Sequence, residues 1–364
     1  MTASAFKLLI SDDWSDYQLL DSGDMRKLER FGKVRVNRPD PQALWKPLAP
    51  ISTWKVDATF APTKDEDDER GAWAFTGKPP ADEWPIAWNG LKLNARLAAF
   101  RHMGVFPEHS VHWRWSMEQV QSAKRPIKAL NLFGYTGMMS LALAKAGAEV
   151  VHLDASPKSI AQGRENAALS GLDGAPIRWI TDDAMKFVER EIRRGSKYDA
   201  IVLDPPKFGR GPKNETWRFE TDFPKLLDHV RTLLSDRPLF VIATVYAVRL
   251  SYAAVGQSLA GSLPPGKTVC GEMAIRESSP RPSSSPPASS PAGHRKLPDR
   301  RAPARQPCRV SGALRPSPFT GKVDAKRTDG GRTAGLVADH PPLLVIPEAR
   351  SAIRDPFLIT SIDE

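Results

Sequence analysis

The chain has 364 residues, more than one average domain needs, and this length predicts a catalytic domain with a smaller companion. Its formal net charge is +10, but the segment from Arg281 to Arg332 holds twelve Lys or Arg against three Asp and so accounts for nine of those charges. The rest is close to neutral, so net charge is no argument that the folded part binds nucleic acid.

Cysteine content and hydropathy indicate the cellular compartment of the protein. The two cysteines, Cys270 and Cys308, indicate neither a disulfide framework nor a zinc site. His102, His109 and His112 lie near one another, but without a ligand spacing or a supporting acid, and we expect no metal. No N-terminal signal pattern is visible, and no apolar run approaches the ~20 residues of a membrane span. We expect a soluble cytoplasmic protein with no membrane partner.

Residues 1–84 predict a small β-rich domain. Short alternating runs, such as residues 17–21, 34–36 and 54–60, are separated by Pro, Gly and Asp, which is typical of short strands joined by turns. Eight of the ten tryptophans precede residue 116. They could stack on unpaired bases and give this domain a substrate-binding role, although such tryptophans more often fill a small core.

Residues 129–154 predict a strand, a glycine turn, a helix and a second strand at the start of a domain spanning 85–277. The apolar run 129–132 leads into a turn with Gly134 and Gly137, a helix over 138–147 follows, and the next apolar run ends on Asp154. Glycine permits positive φ and keeps side chains away from a ligand, while an acid at this place can accept hydrogen bonds from a ribose. The pattern predicts a nucleoside ligand.

The glycine spacing narrows the choice of nucleoside. A dinucleotide fingerprint needs G-x-G-x-x-G to bring the backbone against a pyrophosphate, whereas this turn offers G-x-x-G and lacks the Lys-Ser/Thr of a P-loop. An adenosine with an uncharged or cationic arm remains, and S-adenosylmethionine fits that description. Taken alone, the segment could also be an ordinary crossover whose glycines only make the bend.

Helices and strands then alternate to residue 275. Ser156 before a proline predicts the start of a helix that closes on Gly171, and residues 177–183 predict a strand that ends on Asp182 and Asp183. Further strands are predicted at 200–203, 238–244 and 268–275, and further helices at 184–194, 219–234 and about 249–260. Near-continuous apolar strands between helices require a Rossmann-like α/β fold, a mostly parallel sheet covered by helices on both faces. Its ligands lie beyond the carboxyl ends of the strands, where the glycine turn and the acids fall.

Four motifs carry a family resemblance. Asn131-Leu-Phe-Gly-Tyr-Thr-Gly137, Asp154, Asp182-Asp183 and Asp204-Pro-Pro-Lys-Phe208 resemble those of class I S-adenosylmethionine-dependent methyltransferases. Over roughly residues 85–275 the chain looks most like the branch that holds ribosomal RNA large-subunit methyltransferases. The resemblance implies S-adenosylmethionine as cofactor and an RNA substrate, with ribosomal RNA as the substrate of that branch.

The resemblance also implies residue roles. The segment before the glycine motif, where Phe106 stands, would pack over the methionine end of the cofactor, unless it is only a loop between domains. Asp183 would accept from the adenine amino group, although Asp182 or Asp183 could instead cap the following helix. The predicted cofactor-binding residues are Phe106, Asn131, Phe133, Gly134, Tyr135, Thr136, Gly137, Asp154, Ser156, Asp183 and Asp204.

The run from Asp204 to Phe208 is predicted to hold the methyl acceptor. Asp204 and the carbonyl of Pro205 can accept hydrogen bonds from an amino group, Pro206 stiffens the chain, and Phe208 offers a ring face to a base. Such an acceptor is an exocyclic amine of an unpaired or flipped base. The predicted catalytic residues are therefore Asp204, Pro205, Pro206 and Phe208. A tight strand exit without a catalytic task is the alternative.

Cysteine placement bears on the atom that is methylated. Some relatives methylate cytosine carbon 5, which needs a cysteine thiolate near strand 238–244 or the Pro-Pro motif, and neither place has one. We therefore expect methyl transfer to a base nitrogen in RNA, with ribosomal RNA favoured. A small-molecule or protein methyltransferase is the second reading, and a cofactor-binding module without turnover is the third.

From residue 278 to 364 the chain is rich in Pro, Ser and Arg and predicts a largely disordered tail, because it lacks a hydrophobic period. The resembled family ends with an antiparallel strand pair, of which only the first strand is recognisable here. We therefore expect an incompletely closed sheet and an ending, from about residue 279, that is not the native one. Residues 342–346 are a candidate for the missing strand.

Overall fold

The computed structural model describes residues 6–63, 70–246, 250–279 and 355–361. The strands are β1 (Phe6–Ser11), β2 (Tyr17–Gly23), β3 (Arg26–Phe31), β4 (Val34–Pro39), β5 (Ala58–Pro62), β6 (Gly71–Phe75), β7 (Glu83–Trp88), β8 (Leu91–Arg96), β9 (Lys128–Leu132), β10 (Glu149–Asp154), β11 (Ile177–Thr181), β12 (Ala200–Leu203), β13 (Phe208–Arg210), β14 (Thr216–Arg218), β15 (Phe240–Thr244), β16 (Lys267–Ile275) and β17 (Asp355–Ser361). The helices are α1 (Ser110–Ser122), α2 (Met138–Lys145), α3 (Pro157–Leu169), α4 (Ala184–Arg193), α5 (Phe219–Leu233) and α6 (Tyr252–Ser262). None of the helices in these ranges is long and apolar enough to cross a membrane.

The main sheet has eight strands in the order β1-β16-β17-β15-β12-β9-β10-β11. Every neighbouring pair is parallel except the two that involve β17. The predicted Rossmann-like, mostly parallel sheet is therefore confirmed. The chain runs outward from β9 to β11 and then returns to β12 on the other side of β9. This reversal of direction opens a crevice at the carboxyl ends of β9 and β12.

The sheet is buried on both faces, which explains its apolar strands. In β12, Ala200 and Val202 pack into one hydrophobic cluster with residues of α1 and α2, while Ile201 and Leu203 pack into a second cluster with residues of α4, α5 and α6. All four are buried. Because a parallel strand has no solvent face, a run of four apolar residues is what this position requires.

The N-terminal region is less separate than the predicted division at residue 84 implies. β2 to β6 form a five-stranded sheet of their own, but β1 lies in the main sheet, parallel to β16, with Phe6 opposite Cys270. The hairpin of β7 and β8 runs through residue 84. Every tryptophan before residue 116 is buried or partly buried, which favours a role in the core over base stacking.

The strand pairing formed by the last described residues differs from the expectation. β17 lies antiparallel between β15 and β16, so the predicted open edge was wrong. Residues 355–361 supply this strand. The candidate run 342–346 lies outside the described residues, as does the predicted disorder of 280–354. The run from Phe357 to Thr360 has the apolar and β-branched side chains of a strand, but its partners precede it by some eighty residues or more, and a local pattern cannot reveal them.

Candidate active site

A cavity lies where the crevice between β9 and β12 opens, and it encloses about 500 Å³ of space, including solvent at its mouth. Eight of the predicted site residues line it: Phe106, Asn131, Phe133, Gly134, Tyr135, Thr136, Gly137 and Asp204. Six others are not among its lining residues: Asp154, Ser156, Asp183, Pro205, Pro206 and Phe208. The sheet therefore brings the glycine turn and the Asp204 motif together, as the strand order requires.

In the turn between β9 and α2, the structure gives the glycines a different role from the predicted one. Positive φ belongs to Phe133, Tyr135 and Gly137, at 59°, 50° and 89°, and Gly134 does not share it. A Cβ on Gly134 would lie 2.4 Å from the ring of the buried His152, and one on Gly137 would lie 2.9 Å from the ring of Trp179. Both glycines are therefore required because the turn packs closely on β10 and β11, beneath the ligand face.

A buried polar chain supports this turn from below. The Asn131 side-chain amide donates to Ser140 Oγ at 2.9 Å, and Ser140 Oγ lies 2.9 Å from His152 Nδ1. Burial lowers the pKa of His152 to about 3, so the imidazole is neutral and its Nδ1 can accept from the Ser140 hydroxyl. One hydrogen bond of the Asn131 amide thus supports the turn, and the predicted contact of Asn131 with the cofactor stays a prediction.

The close approach of Gly134 to His152 makes a stability prediction. Gly134→Ala should lower the free energy of unfolding by roughly 1–3 kcal/mol, the usual cost of overpacking a buried site. Gly174→Ala is the matched control, because a Cβ there meets nothing within 4 Å. Thermal unfolding of both variants checks the prediction, and equal midpoints would contradict the packing role of Gly134.

Asp154 ends β10 and clamps the turn to the start of α3. Its Oδ2 accepts from the Tyr135 amide and its Oδ1 from the Ser156 amide, each at 2.8 Å. Burial raises the pKa of Asp154, and the two amide hydrogen bonds oppose that rise. Ser156 Oγ accepts from the Ser159 amide at 3.2 Å, so the predicted cap of α3 is present. Each carboxylate oxygen of Asp154 keeps a further lone pair for a ligand hydroxyl.

The two acids after β11 have separate partners. Asp183 Oδ1 accepts from the Lys186 amide at 3.0 Å and caps α4. Asp182 forms an ion pair with Arg190. The capping alternative therefore holds for Asp183. The adenine contact predicted for the same residue stays a prediction, and the second carboxylate oxygen, Oδ2, could make it.

Asp204 ends β12 inside the cavity. Its amide lies 3.4 Å from the Leu132 carbonyl of the adjacent β9, and its Oδ2 lies 3.9 Å from His109 Nδ1. Burial raises the pKa of this carboxyl, His109 lowers it, and the nearby Glu108 and Asp154 raise it further. An acid that is partly desolvated and aimed into a cavity suits hydrogen bonding to a ligand amine.

One wall of the cavity is built from aromatic rings. The Phe106 ring stacks on His109 with centroids 5.5 Å apart and contacts Tyr135 at 5.6 Å. Thr136 Oγ1 donates to the Gly104 carbonyl at 2.7 Å, which ties this wall to the turn. The segment around Phe106 is thus part of the cavity and more than a connecting loop.

His109 is a cavity residue that the sequence did not assign. Its only sequence signal was its proximity to His102 and His112, which was weighed for metal binding. Within the described ranges, no group of three or more His, Cys, Asp or Glu side chains is placed to hold a metal ion. Burial lowers the pKa of His112 to about 3, so this second cavity histidine is neutral.

The residues after Asp204 form a turn that leads into β13. The Pro206 carbonyl accepts from Trp217 Nε1 at 2.7 Å, which fixes the Pro-Pro turn against the hairpin of β13 and β14. Phe208, on β13, is 53% exposed, and the Arg210 guanidinium lies 5.9 Å from its ring centroid. An exposed ring four positions after the cavity residue Asp204 is available for base stacking.

Comparison with known proteins identifies the fold. Residues 64–244 match a family described as S-adenosylmethionine-dependent methyltransferase. A solved S-adenosylmethionine-dependent methyltransferase from Agrobacterium tumefaciens is 46% identical, with a TM-score of 0.71, and the match covers 74% of this chain and 86% of that one. The chain belongs to the S-adenosylmethionine-dependent methyltransferase family. Its cofactor is accordingly S-adenosylmethionine.

The cavity fits that cofactor. Asp154 anchors the backbone of the cavity-lining Tyr135 and can also accept hydrogen bonds from ribose hydroxyl groups. The rings of Phe106 and Tyr135 offer faces to a positively charged sulfonium group. A carboxylate acceptor beside the cavity and aromatic faces within it therefore suit the ribose and the sulfonium group of this cofactor.

Two curated relatives match in part. Ribosomal RNA large subunit methyltransferase I of Aeromonas salmonicida is 35% identical over 133 residues, which is 36% of this chain and 33% of that protein. Ribosomal RNA large subunit methyltransferase K of Neisseria meningitidis serogroup B is 28% identical over 228 residues, 60% of this chain and 62% of that protein. The chain therefore spans between a third and two thirds of these relatives.

Proposed function

We propose that this protein transfers a methyl group from S-adenosylmethionine to a nitrogen of a base in ribosomal RNA. The observation that carries the nitrogen assignment is Asp204, a partly buried acid at the end of β12, in the same cavity as the glycine turn. The names of the matched relatives support RNA as the substrate.

The position of the thiol supports nitrogen over carbon 5. Carbon-5 methylation of a pyrimidine needs a cysteine that adds to the ring. Cys270 lies in β16, buried in the hydrophobic cluster of α5 and α6, and it is not a lining residue of the cavity. Cys308 lies outside the described residues.

The cavity residues have clear tasks in such a transfer. The bound cofactor supplies an electrophilic methyl group. Asp204 accepts a hydrogen bond from the amino group of the base and thereby turns the nitrogen lone pair toward the methyl position. Phe208 stacks on the extruded base. His109, 3.9 Å from Asp204, is placed to take the proton that leaves the methylated nitrogen.

Labelled cofactor tests the proposal. The full chain is incubated with methyl-labelled S-adenosylmethionine and total RNA from a strain that lacks the protein, and the modified nucleoside is identified by mass spectrometry. We expect label in ribosomal RNA and an N-methylated base. Label on carbon 5 would contradict the nitrogen assignment, label in protein or small molecules would contradict the RNA substrate, and cofactor binding without turnover would contradict both.

A further inference from the structure

A second concave surface lies on the small N-terminal sheet, away from the cavity residues. We call it the basic groove. It is lined by Arg30, Lys33, Arg35, Trp54, Lys55, Val56, Asp57 and Thr76. Four of these eight side chains are cationic and one is acidic. Lys33, Arg35 and Lys55 are exposed to solvent.

The four cations of the basic groove have no carboxylate partner within the part of the chain that the structure describes. Among the described residues none of them forms an ion pair, and the Arg30 guanidinium donates to neutral acceptors, the Gln18 side chain and the carbonyls of Gly32 and Ser15. The Oδ2 of Asp57, the one acidic side chain of the groove, accepts a hydrogen bond from the Arg35 backbone amide at 2.7 Å.

Neighbouring cations on the same sheet are neutralised. Lys27 and Arg38 both pair with the buried Glu29, and Arg38 does so through two hydrogen bonds of 2.7 and 2.8 Å. The sheet thus pairs its buried cations and leaves the exposed ones of the basic groove unpaired. Unpaired, exposed cations in a concave surface produce a positive potential that attracts polyanions.

The burial of Trp54, the aromatic residue of the groove, favours contacts with phosphates over contacts with bases. Trp54 is only 9% exposed, and its indole N–H donates to Asp21 Oδ2 at 3.1 Å. Its ring is therefore held in the core and offers no free face on which a base could stack. A groove with cations and no free ring suits the sugar-phosphate backbone, which carries charge but no sequence information.

We propose that the basic groove binds the phosphate backbone of the RNA substrate, outside the segment that enters the active site. This inference rests on the proposed function. β4 connects the two surfaces: it carries Arg35 of the groove and Arg38, whose guanidinium donates to the Arg101 carbonyl at 2.6 Å. Arg101 begins the segment that ends at Phe106 in the cavity wall. RNA bound in the groove is thus held by a strand that is hydrogen-bonded to the segment leading into the cavity wall.

Charge removal with a matched control tests the basic groove. The groove variant is Lys33→Gln, Arg35→Gln, Lys55→Gln, and the control variant is Lys124→Gln, Lys158→Gln, Arg193→Gln, three exposed cations elsewhere with the same total charge. Affinity for a fluorescent ribosomal RNA fragment of about 20 nucleotides is measured between about 50 and 200 mM salt. For the groove variant we expect affinity to fall at least about tenfold and the slope of log affinity against log salt to become shallower by about two, since each phosphate contributes about 0.7. The control should match the parent protein.

Two further readouts separate this proposal from the proposed function. Binding of S-adenosylhomocysteine should be equal in all three proteins, because none of the changed residues lines the cavity. If the parent binds RNA through the groove but methylates none, the proposed function fails and the groove stands. If the parent methylates RNA and the groove variant binds it with unchanged affinity and salt slope, the groove proposal fails alone. An equal loss in the control variant would also overturn it.

Discussion

Asp204→Asn should lower kcat by about 10²–10³-fold while cofactor affinity changes little, because in the proposed reaction it removes a charged acceptor that acts on the substrate amine in the transition state. Asp204 lines the cavity at the end of β12, and its backbone amide, rather than its carboxylate, faces β9. The asparagine keeps the size and the position of the side chain. Methyl transfer under saturating cofactor, with cofactor affinity measured by calorimetry, checks both parts.

Asp199→Asn is the matched control for this variant. Asp199 directly precedes the same strand at its opposite end, where its Oδ2 accepts from the Lys128 amide at 2.9 Å. Its loss should reduce stability and leave kcat unchanged. A fully active Asp204→Asn enzyme would refute the assignment of the acceptor site.

The pH profile gives a second view of Asp204. Because burial raises the pKa of this carboxyl, the carboxylate prevails only above a pKa that exceeds the ordinary value of 3.8. Activity should therefore be kept above that pKa and lost as the pH falls through it. The acidic limb that belongs to this carboxyl should disappear in Asp204→Asn. A limb that is unchanged in Asp204→Asn would contradict its assignment to Asp204.

Asp154→Asn should weaken cofactor binding by about 10–100-fold, the cost of a lost charge-assisted hydrogen bond of about 1.5–3 kcal/mol. The carboxylate already accepts from two backbone amides, of Tyr135 and Ser156, and an asparagine offers only one oxygen. One of these two backbone amides then loses its acceptor, and the turn that lines the cavity is held less firmly. Titration with S-adenosylhomocysteine measures the loss.

A control separates binding from folding in this case. Asp199→Asn also removes an acid that anchors backbone, at the other end of β9, and should lower the unfolding temperature without weakening the cofactor. In Asp154→Asn we expect both effects, with kcat largely retained once the cofactor is saturating. Unchanged affinity would mean that Asp154 only anchors the turn.

The site was partly predictable. The glycine turn and Asp204 could be placed together because each follows an apolar strand, and parallel strands end at one rim. The function of Gly134 could not be predicted, since it depends on His152, eighteen positions later in the chain, packing 2.4 Å from the missing Cβ. His109 could not be assigned either, because its contact with Asp204 joins residues 95 positions apart.

The sequence by itself determined the α/β alternation of the catalytic region, its mostly parallel sheet and the cofactor family, because strand and helix periods and turn glycines are local features. Only the tertiary structure decided that β1 completes the far edge of the sheet beside β16, and that β17 closes the gap between β15 and β16. It also decided which cations of the N-terminal sheet stay unpaired. These outcomes depend on hydrogen bonds and charges between segments far apart in the chain, which no local period records.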